Sequence, residues 1–393
     1  MNYNFDEIID RKHDKYSYSA KWQSPWYILD SLGVKNIRED TICLETADMD
    51  FRVAPEIVED LIKLSQHGIF GYSLYTEEYT RAVCNWYKTR HNWEFDLDDI
   101  YYFPGTHEAV SQCVKRYTKE GEGVIVLTPC YGFHSDVDGN NRKYVTVELI
   151  NDGKEYFTVD YTALEKACQN PNNTMLIMCH PHNPTGRVFT HDELVKIADI
   201  CRANNVLIVC DEVHSDIIRE GQTFEPMMKA CGPKGLIACT AVNKTFNVAG
   251  LAMTNAIISD LELKPAMKDY FVMPSPFGIQ AVISAYTKGA AWVDALNKYL
   301  DQNIDACIDY IHKHLPNAVV CRPEGAYSLN VDFSGYGLSD DEVIDRIYSK
   351  AGVVMNSGLF FDDRRGKQIH RACLASPRVI CLEAFERIAK EFK

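Results

Sequence analysis

What this chain lacks narrows the field first. Its 14 cysteines include no C-x-x-C pair, which removes the commonest zinc-ribbon and redox signatures. Many of them, Cys179, Cys210 and Cys239 for example, sit inside apolar strand-like runs. That pattern suits reduced, buried thiols in a cytoplasmic protein better than a disulfide framework or a metal site. No apolar run approaches the roughly 20 residues that cross a bilayer. The stretch "MNYNFDEIIDRKHDKYS" (1–17) is charged, without the apolar segment of a secretory signal. Positive charge is also in deficit: 41 Lys and Arg face 55 Asp and Glu, a formal net charge of −14. Nucleic acid and anionic membrane are therefore poor partners, since both need a basic surface to displace counterions. No internal repeat is present, which sets aside solenoids and propellers.

What is there is a globular composition, 46% apolar and 24% charged over 393 residues, long enough for two domains. The middle of the chain alternates short β-branched runs with helical patterns. "VIVLTP" (124–129), "YVTVELI" (144–150), "TMLIMCHP" (174–181), "VLIVCDE" (206–212) and "GLIACTA" (235–241) read as buried strands. "THDELVKIADICRANN" (190–205) has helical periodicity, a Thr cap and acids in its first turn. This rhythm predicts an α/β fold with a mostly parallel sheet flanked by helices. Further on, a long amphipathic stretch (281–315), an alternating strand (325–334), a helix near 339–351 and a closing helix from about Pro377 predict a smaller α+β domain. The expected division is a large domain over 49–288 and a discontinuous small domain made of 1–48 and 289–393.

In open α/β sheets, ligands bind beyond the carboxyl ends of the strands. "TPCYG" (128–132), "HPHNPTG" (180–186), "DEVHSD" (211–216) and "NKTF" (243–246) fall there. Asp211 ends an apolar run, where a lone carboxylate is costly to desolvate. It calls for a cationic partner such as a protonated ring nitrogen, or else acts as a helix cap or structural ion pair. His214, about one turn later, reaches the same ligand or is structural. Asn183 is a ligand group or simply a turn residue, and Tyr131 stacks on an aromatic ligand or packs in the core. "FPGTHEAV" (103–110) places Gly105, Thr106 and His107 at a helix start suited to a phosphate, or to plain capping. Arg378, beside a proline in "HRACLASPRVICLEAF" (370–385), offers a fork for a carboxylate or makes a surface salt bridge.

Taken in order, "NPTG", "DEVH", "NKTF" and "SPR" resemble the class I/II aminotransferase family of fold-type I pyridoxal-phosphate enzymes. Asn183, Asp211, Lys244 and Arg378 stand at the expected separations, and the resemblance extends over essentially the whole chain. "ETADMDFRVAP" (45–55), "FGYS" (70–73), "KTFNVAGL" (244–251) and "EGAYSLNVDFSGYGLSDDE" (324–342) are similar to the cystathionine β-lyase and cysteine-S-conjugate β-lyase subgroup. The resemblance implies an aspartate aminotransferase-like fold with a seven-stranded sheet, pyridoxal 5′-phosphate as cofactor, a small amino-acid substrate and a homodimer with its sites at the subunit interface. Lys244 would form the Schiff base, Asp211 would pair with the pyridine nitrogen, and Asn183, with His214 nearby, would bond the phenolic oxygen. Tyr131 would stack on the ring. Gly105, Thr106, His107, Thr240, Asn243 and Thr245 become phosphate neighbours, and Tyr72 would reach the phosphate of the partner subunit's site. Arg378 would hold the substrate α-carboxylate, with Asp48 and Met49 beside it. No metal is implied. Two departures stand out: Asn243 and Ala241 occupy places where the family commonly has serines, and Cys373 stands where an asparagine is usual.

The implied reaction is β-elimination. Lysine freed from the cofactor, with a lowered pKa, removes the Cα proton. A thiolate leaves Cβ, and thiol, pyruvate and ammonia result. Tyr72 or Tyr131 is the candidate acid for the departing sulfur. An aminotransferase using the same residues, and a non-catalytic homologue that binds a ligand or protein, are the rival readings.

Overall fold

The computed structural model describes residues 3–23, 25–35, 38–151 and 156–393. Seven strands form its main sheet: β1 (Ile100–Phe103), β2 (Gly123–Thr128), β3 (Lys143–Glu148), β4 (Asn173–Cys179), β5 (Leu207–Asp211), β6 (Leu236–Ala241) and β7 (Thr254–Ile257). Their spatial order is β1-β7-β6-β5-β4-β2-β3. Only β7 runs against its neighbours, pairing antiparallel with both β6 and β1. The expected mostly parallel sheet is thus found. The two strands that the apolar runs did not reveal, β1 and β7, are four residues each, too short for periodicity to show.

The helices that position the site are α1 (Pro55–His67), α2 (Glu77–His91), α3 (Thr106–Tyr117), α4 (His134–Asp138), α5 (His191–Ala203), α6 (Val242–Thr245), α7 (Pro276–Lys288), α8 (Ala290–His314) and α9 (Arg378–Glu391). Helix α5 starts on a capping box between Thr190 and Glu193, as its sequence predicts. The amphipathic stretch read as one segment is two helices, α7 and α8. They meet at Gly289, where a Cβ would lie 2.3 Å from Cε1 of Phe246 and 2.6 Å from the carbonyl oxygen of Ala285.

A second sheet follows: β8 (Val319–Val320), β9 (Ser328–Asp332), β10 (Asn356–Ser357) and β11 (Ile369–Cys373), in the order β10-β11-β9-β8. The N-terminal region joins this part of the molecule through Ile42–Cys43, which pairs parallel with Val353–Val354. Buried apolar side chains form one cluster on each face of the main sheet and a third around the second sheet. Helix α8 bridges two of them: Trp292, Val293, Leu296 and Leu300 pack with the main sheet, whereas Ile304, Cys307 and Ile311 pack with the second.

Candidate active site

The loops after β2, β4, β5 and β6 meet β11 and the 45–50 segment at the carboxyl edge of the main sheet. Lys244 lies in the single turn of α6, and its Nζ donates to the carbonyl of Ala47 at 2.8 Å. That carbonyl also accepts from the hydroxyl of buried Tyr327 at 3.0 Å. Asn247 holds the two segments together: its Oδ1 accepts from Met49 N, and its Nδ2 donates to the carbonyls of Met49 and Phe51, each at 3.0 Å. Burial, then the charge of Arg371, lowers the pKa of Lys244, while Asp48 and Asp211 oppose the shift. A lysine so placed is readied to act as a neutral amine.

Asp211, the last residue of β5, accepts from the backbone N–H of Val213 at 3.2 Å. Burial pushes its carboxyl up to about 7, with Lys244 and His107 pulling the other way. Asn183 and Arg371 are joined directly. Arg371 Nη1 donates to Asn183 Oδ1 at 3.0 Å, and Nη2 donates to the carbonyl of Glu45 at 2.8 Å. Because arginine can only donate, this bond turns the amide nitrogen of Asn183 away from Arg371. Tyr131 N donates to the Asn183 carbonyl at 3.0 Å, which ties the loops after β2 and β4 together. The "NPTG" turn is pinned from below: Gly186 has φ of 72°, and a Cβ there would meet Pro323 Cβ at 2.3 Å.

Two buried nitrogens at this place have no hydrogen-bond partner, His214 Nδ1 and Arg371 Nε. Orphaned buried polar atoms mark what a site is shaped to receive. His214 is pushed down to about 3 by burial, then by Lys244 and Arg371, so it is a neutral imidazole. A flat ring with a protonated nitrogen, an oxyanion and a carboxylate-bearing substituent matches Asp211, the Asn183 and His214 pair, and Arg371.

A phosphate has a matching cradle. Gly105 opens α3 with free space where a Cβ would stand. Thr106 Oγ1 lies 3.5 Å from Thr254 Oγ1, and Asn243 Nδ2 donates to Thr254 Oγ1 at 3.4 Å. Thr254 is fully buried on β7 and sits directly opposite Ala241 in the ladder. A hydroxyl absent from β6 is therefore supplied by the neighbouring strand. The residues present fit pyridoxal phosphate.

The structure places several of the expected residues in other contacts. Arg378 is not at this site: its guanidinium donates to Asn303 Oδ1 at 3.2 Å and Gln302 Oε1 at 2.7 Å and lies over the Tyr299 ring. Opening a helix, it points along the surface of α8, and Arg371 takes the buried place. Thr240 faces the opposite side of the sheet from Asp211, because strand side chains alternate and Cys239 is the residue in register with Asp211. Thr245 donates to Asp216 Oδ2 at 3.1 Å, within a cluster that also holds Trp86 and His91. Met49 is buried in the hydrophobic cluster around the sheet. Asp48 is held by Arg11, with Oδ2 accepting from Nη2 at 2.9 Å. Tyr72, 97% exposed, touches none of these groups within its own chain. His107 is at the site, but its side chain turns to Tyr131 and Asp136. Arg371, Tyr327, Thr254 and Asp136 were not singled out from sequence. For Arg371 a signal existed, since it shares a strand face with Cys373, two residues on.

A model of the family described as aminotransferase class I and II matches residues 39–380. The chain belongs to that family. Among its relatives, the cystathionine beta-lyase PatB of Bacillus subtilis is 33% identical over 364 residues, 90% of this chain and 91% of that protein. Cystalysin from Treponema denticola, solved with a pyridoxal 5′-phosphate cofactor, superimposes with a TM-score of 0.92 at 32% identity, covering 100% of this chain and 99% of that one. The PLP-bound C-S lyase from Staphylococcus hominis gives a TM-score of 0.91 at 29% identity, covering 100% and 98%. Both solved chains share this fold over its whole length.

Proposed function

We propose that this chain is a pyridoxal 5′-phosphate-dependent carbon–sulfur β-lyase that cleaves cystathionine or a related cysteine S-conjugate to a thiol, pyruvate and ammonia. The observation that carries the reading is the convergence of Lys244, Asp211, Asn183 and Arg371 around orphaned buried donors. Lyase rather than transaminase chemistry is supported by the names of the relatives above. When bound, pyridoxal phosphate supplies an electron sink for charge developing at the substrate Cα. Asp211 would hold the pyridine nitrogen in its protonated form. Asn183 and His214 would hold the phenolic oxygen, and Gly105, Thr106, Asn243 and Thr254 the phosphate. Arg371 would orient the substrate by its α-carboxylate, and Lys244 would take the Cα proton.

Purified protein incubated with cystathionine should release pyruvate without any 2-oxo acid. Strict dependence on an acceptor would overturn the lyase reading in favour of a transaminase. Arg371→Ala is expected to raise KM roughly 100-fold through loss of a buried charged hydrogen-bonding partner. Arg378→Ala should leave KM within about 2-fold, as expected of a half-exposed surface contact. Steady-state kinetics of both variants separates the two arginines. Thr254→Val is expected to weaken cofactor binding to the stripped protein about 10-fold, the loss of one hydrogen bond. Absorbance titration measures it, and Ala241→Ser in the same background should recover part of the loss.

A second copy of this chain is the proposed partner. Ile69, Phe70, Tyr72 and Leu74 are exposed beside exposed Phe271 and Met273. Ser73 Oγ donates to the Pro274 carbonyl at 2.6 Å, and Phe70 packs against Phe277, so the two segments form one surface. Contiguous apolar surface of this kind is uncommon on monomers. Tyr72 would then complete the phosphate end of the partner's site. Among the described residues no helix is long and apolar enough to cross a membrane. No disulfide joins any cysteines among the described residues, which supports a reducing, cytoplasmic setting.

A further inference from the structure

The start of α3 holds groups that cofactor and substrate binding leave unused. His107 Nδ1 lies 2.7 Å from Asp136 Oδ2, and its Nε2 lies 3.2 Å from the hydroxyl of Tyr131. Asp136, on α4, is buried, whereas the His107 side chain is 48% exposed. Three residues from α3, α4 and the loop after β2 thus form a hydrogen-bonded line. It starts at a buried carboxylate, passes a ring in contact with solvent and ends at the tyrosine beside Asn183. Neither the cofactor nor substrate anchoring, as assigned above, requires a histidine or an aspartate there.

We propose that Asp136 and His107 are positioning residues that keep Tyr131 supplied with a proton, and that Tyr131 is the acid that protonates the departing thiolate. The inference rests on the β-lyase reading. Asp136 accepts from Nδ1–H, which orients the ring and favours its protonated form, and in that form Nε2–H donates to the Tyr131 hydroxyl. As the Cβ–S bond breaks, sulfur keeps the electron pair. Tyr131 passes its phenolic proton to that sulfur, and His107 passes its Nε2 proton to the tyrosine oxygen. His107 becomes neutral and regains a proton from water through its exposed edge. Atoms and charge balance with no further reactant.

The surroundings support each role. Hydrogen bonding to Asp136 raises the pKa of His107; burial opposes the shift, Asp211 on β5 adds to it, and Lys244 on α6 subtracts from it. Asp136 on α4, Asp211 on β5, Lys244 on α6 and Tyr131 in the loop after β2 are the charged and titratable groups that act on the ring. Burial raises the Tyr131 phenol and Arg371 lowers it, with the net shift upward, so the tyrosine keeps its proton until a base is offered.

The test compares two substrates in the holoenzyme: an S-alkyl cysteine, whose thiolate needs a proton to leave, and an S-nitroaryl cysteine, whose thiolate leaves without one. In His107→Gln, kcat for the alkyl conjugate should fall roughly 100-fold, the worth of a general acid, while the nitroaryl conjugate stays within about 3-fold. Asp136→Asn should shift the alkaline limb of the alkyl profile to lower pH, because the imidazolium loses its carboxylate. Nitrogen-15 NMR of the histidines in the cofactor-loaded protein should show the same downward shift for His107. Cofactor affinity, read by visible absorbance, should not change in either variant. An equal fall for both conjugates, or none for either, overturns the relay and leaves the lyase assignment standing. Absence of pyruvate from the unaltered protein with any conjugate overturns the lyase assignment, and the acid role with it.

Discussion

A Lys244→Ala protein is expected to fold as cooperatively as the parent and to release pyruvate roughly 10⁴-fold more slowly, the scale of removing a positioned acid–base group. The side chain meets the rest of the molecule chiefly through one bond to the Ala47 carbonyl, and Tyr327 remains to satisfy that oxygen. Removing the lysine therefore leaves no stranded acceptor. Burial has already lowered its pKa, so its loss also removes an unfavourable charge from the cofactor-free state. Borohydride should no longer fix the cofactor to the chain, whereas non-covalent binding at Asp211 and the α3 start should persist. Thermal unfolding, borohydride labelling and a pyruvate assay on one preparation check all three outcomes. Near-parental turnover would remove Lys244 from the chemistry.

Asp211→Asn gives the second large effect, and its sign depends on what is bound. In the cofactor-free protein, burial raises this carboxyl from 3.8 to about 7. Its favourable contribution is therefore complete below pH 4 and is lost as pH rises through about 7. A shift of that size corresponds to roughly 4 kcal/mol at most. Cofactor-free Asp211→Asn should accordingly be more stable than the parent at pH 8, with the advantage shrinking towards pH 4. Glu45, raised to about 7 by burial, is common to both proteins and cancels; Glu212, raised to about 8 by burial, is also pushed up by the charge of Asp211, so the substitution removes that repulsion and adds to the advantage at pH 8. With the cofactor bound the order should reverse. Asparagine cannot hold a protonated pyridine nitrogen, and loss of a buried ion pair predicts roughly 10³-fold slower turnover. Urea titrations at the two pH values, with and without cofactor, check this.

The large sheet was legible because five of its strands are continuous apolar runs, and residues placed just after such runs emerge at one edge. The positions of Asp211, Asn183, Tyr131 and Lys244 at that edge followed from those runs, whereas their roles are what the family resemblance implies. The positions of Thr240 and Thr245 did not follow, because being near the edge in sequence does not say which face a side chain takes. Alternation from Cys239 would have excluded Thr240. The arginine was harder. Arg378 has the flanking proline and the helix start that invite an anion, yet an exposed first turn lets its guanidinium lie along α8. Arg371 sits in a short strand whose burial depends on pairing with β9 and β10, a relation over more than 40 residues to β9 that no local pattern reports. The rescue of the phosphate cradle by Thr254 was invisible for the same reason, since it rests on the ladder partner of Ala241.

The place of β11 in the second sheet has a consequence for the order in which the protein becomes competent during synthesis. Residues from Ala47 to Ile257 can leave the ribosome and assemble the main sheet with Asp211 and Lys244 already at its edge. Strand β11 then arrives late in the chain, yet it takes an interior position between β9 and β10. Until it docks, Asn183 has no arginine to orient its amide, and α9 has no sheet to cover. A nascent or prematurely ended chain therefore carries a reactive lysine without the group that would select its substrate. Full competence is reached only when β11 has emerged and docked between β9 and β10.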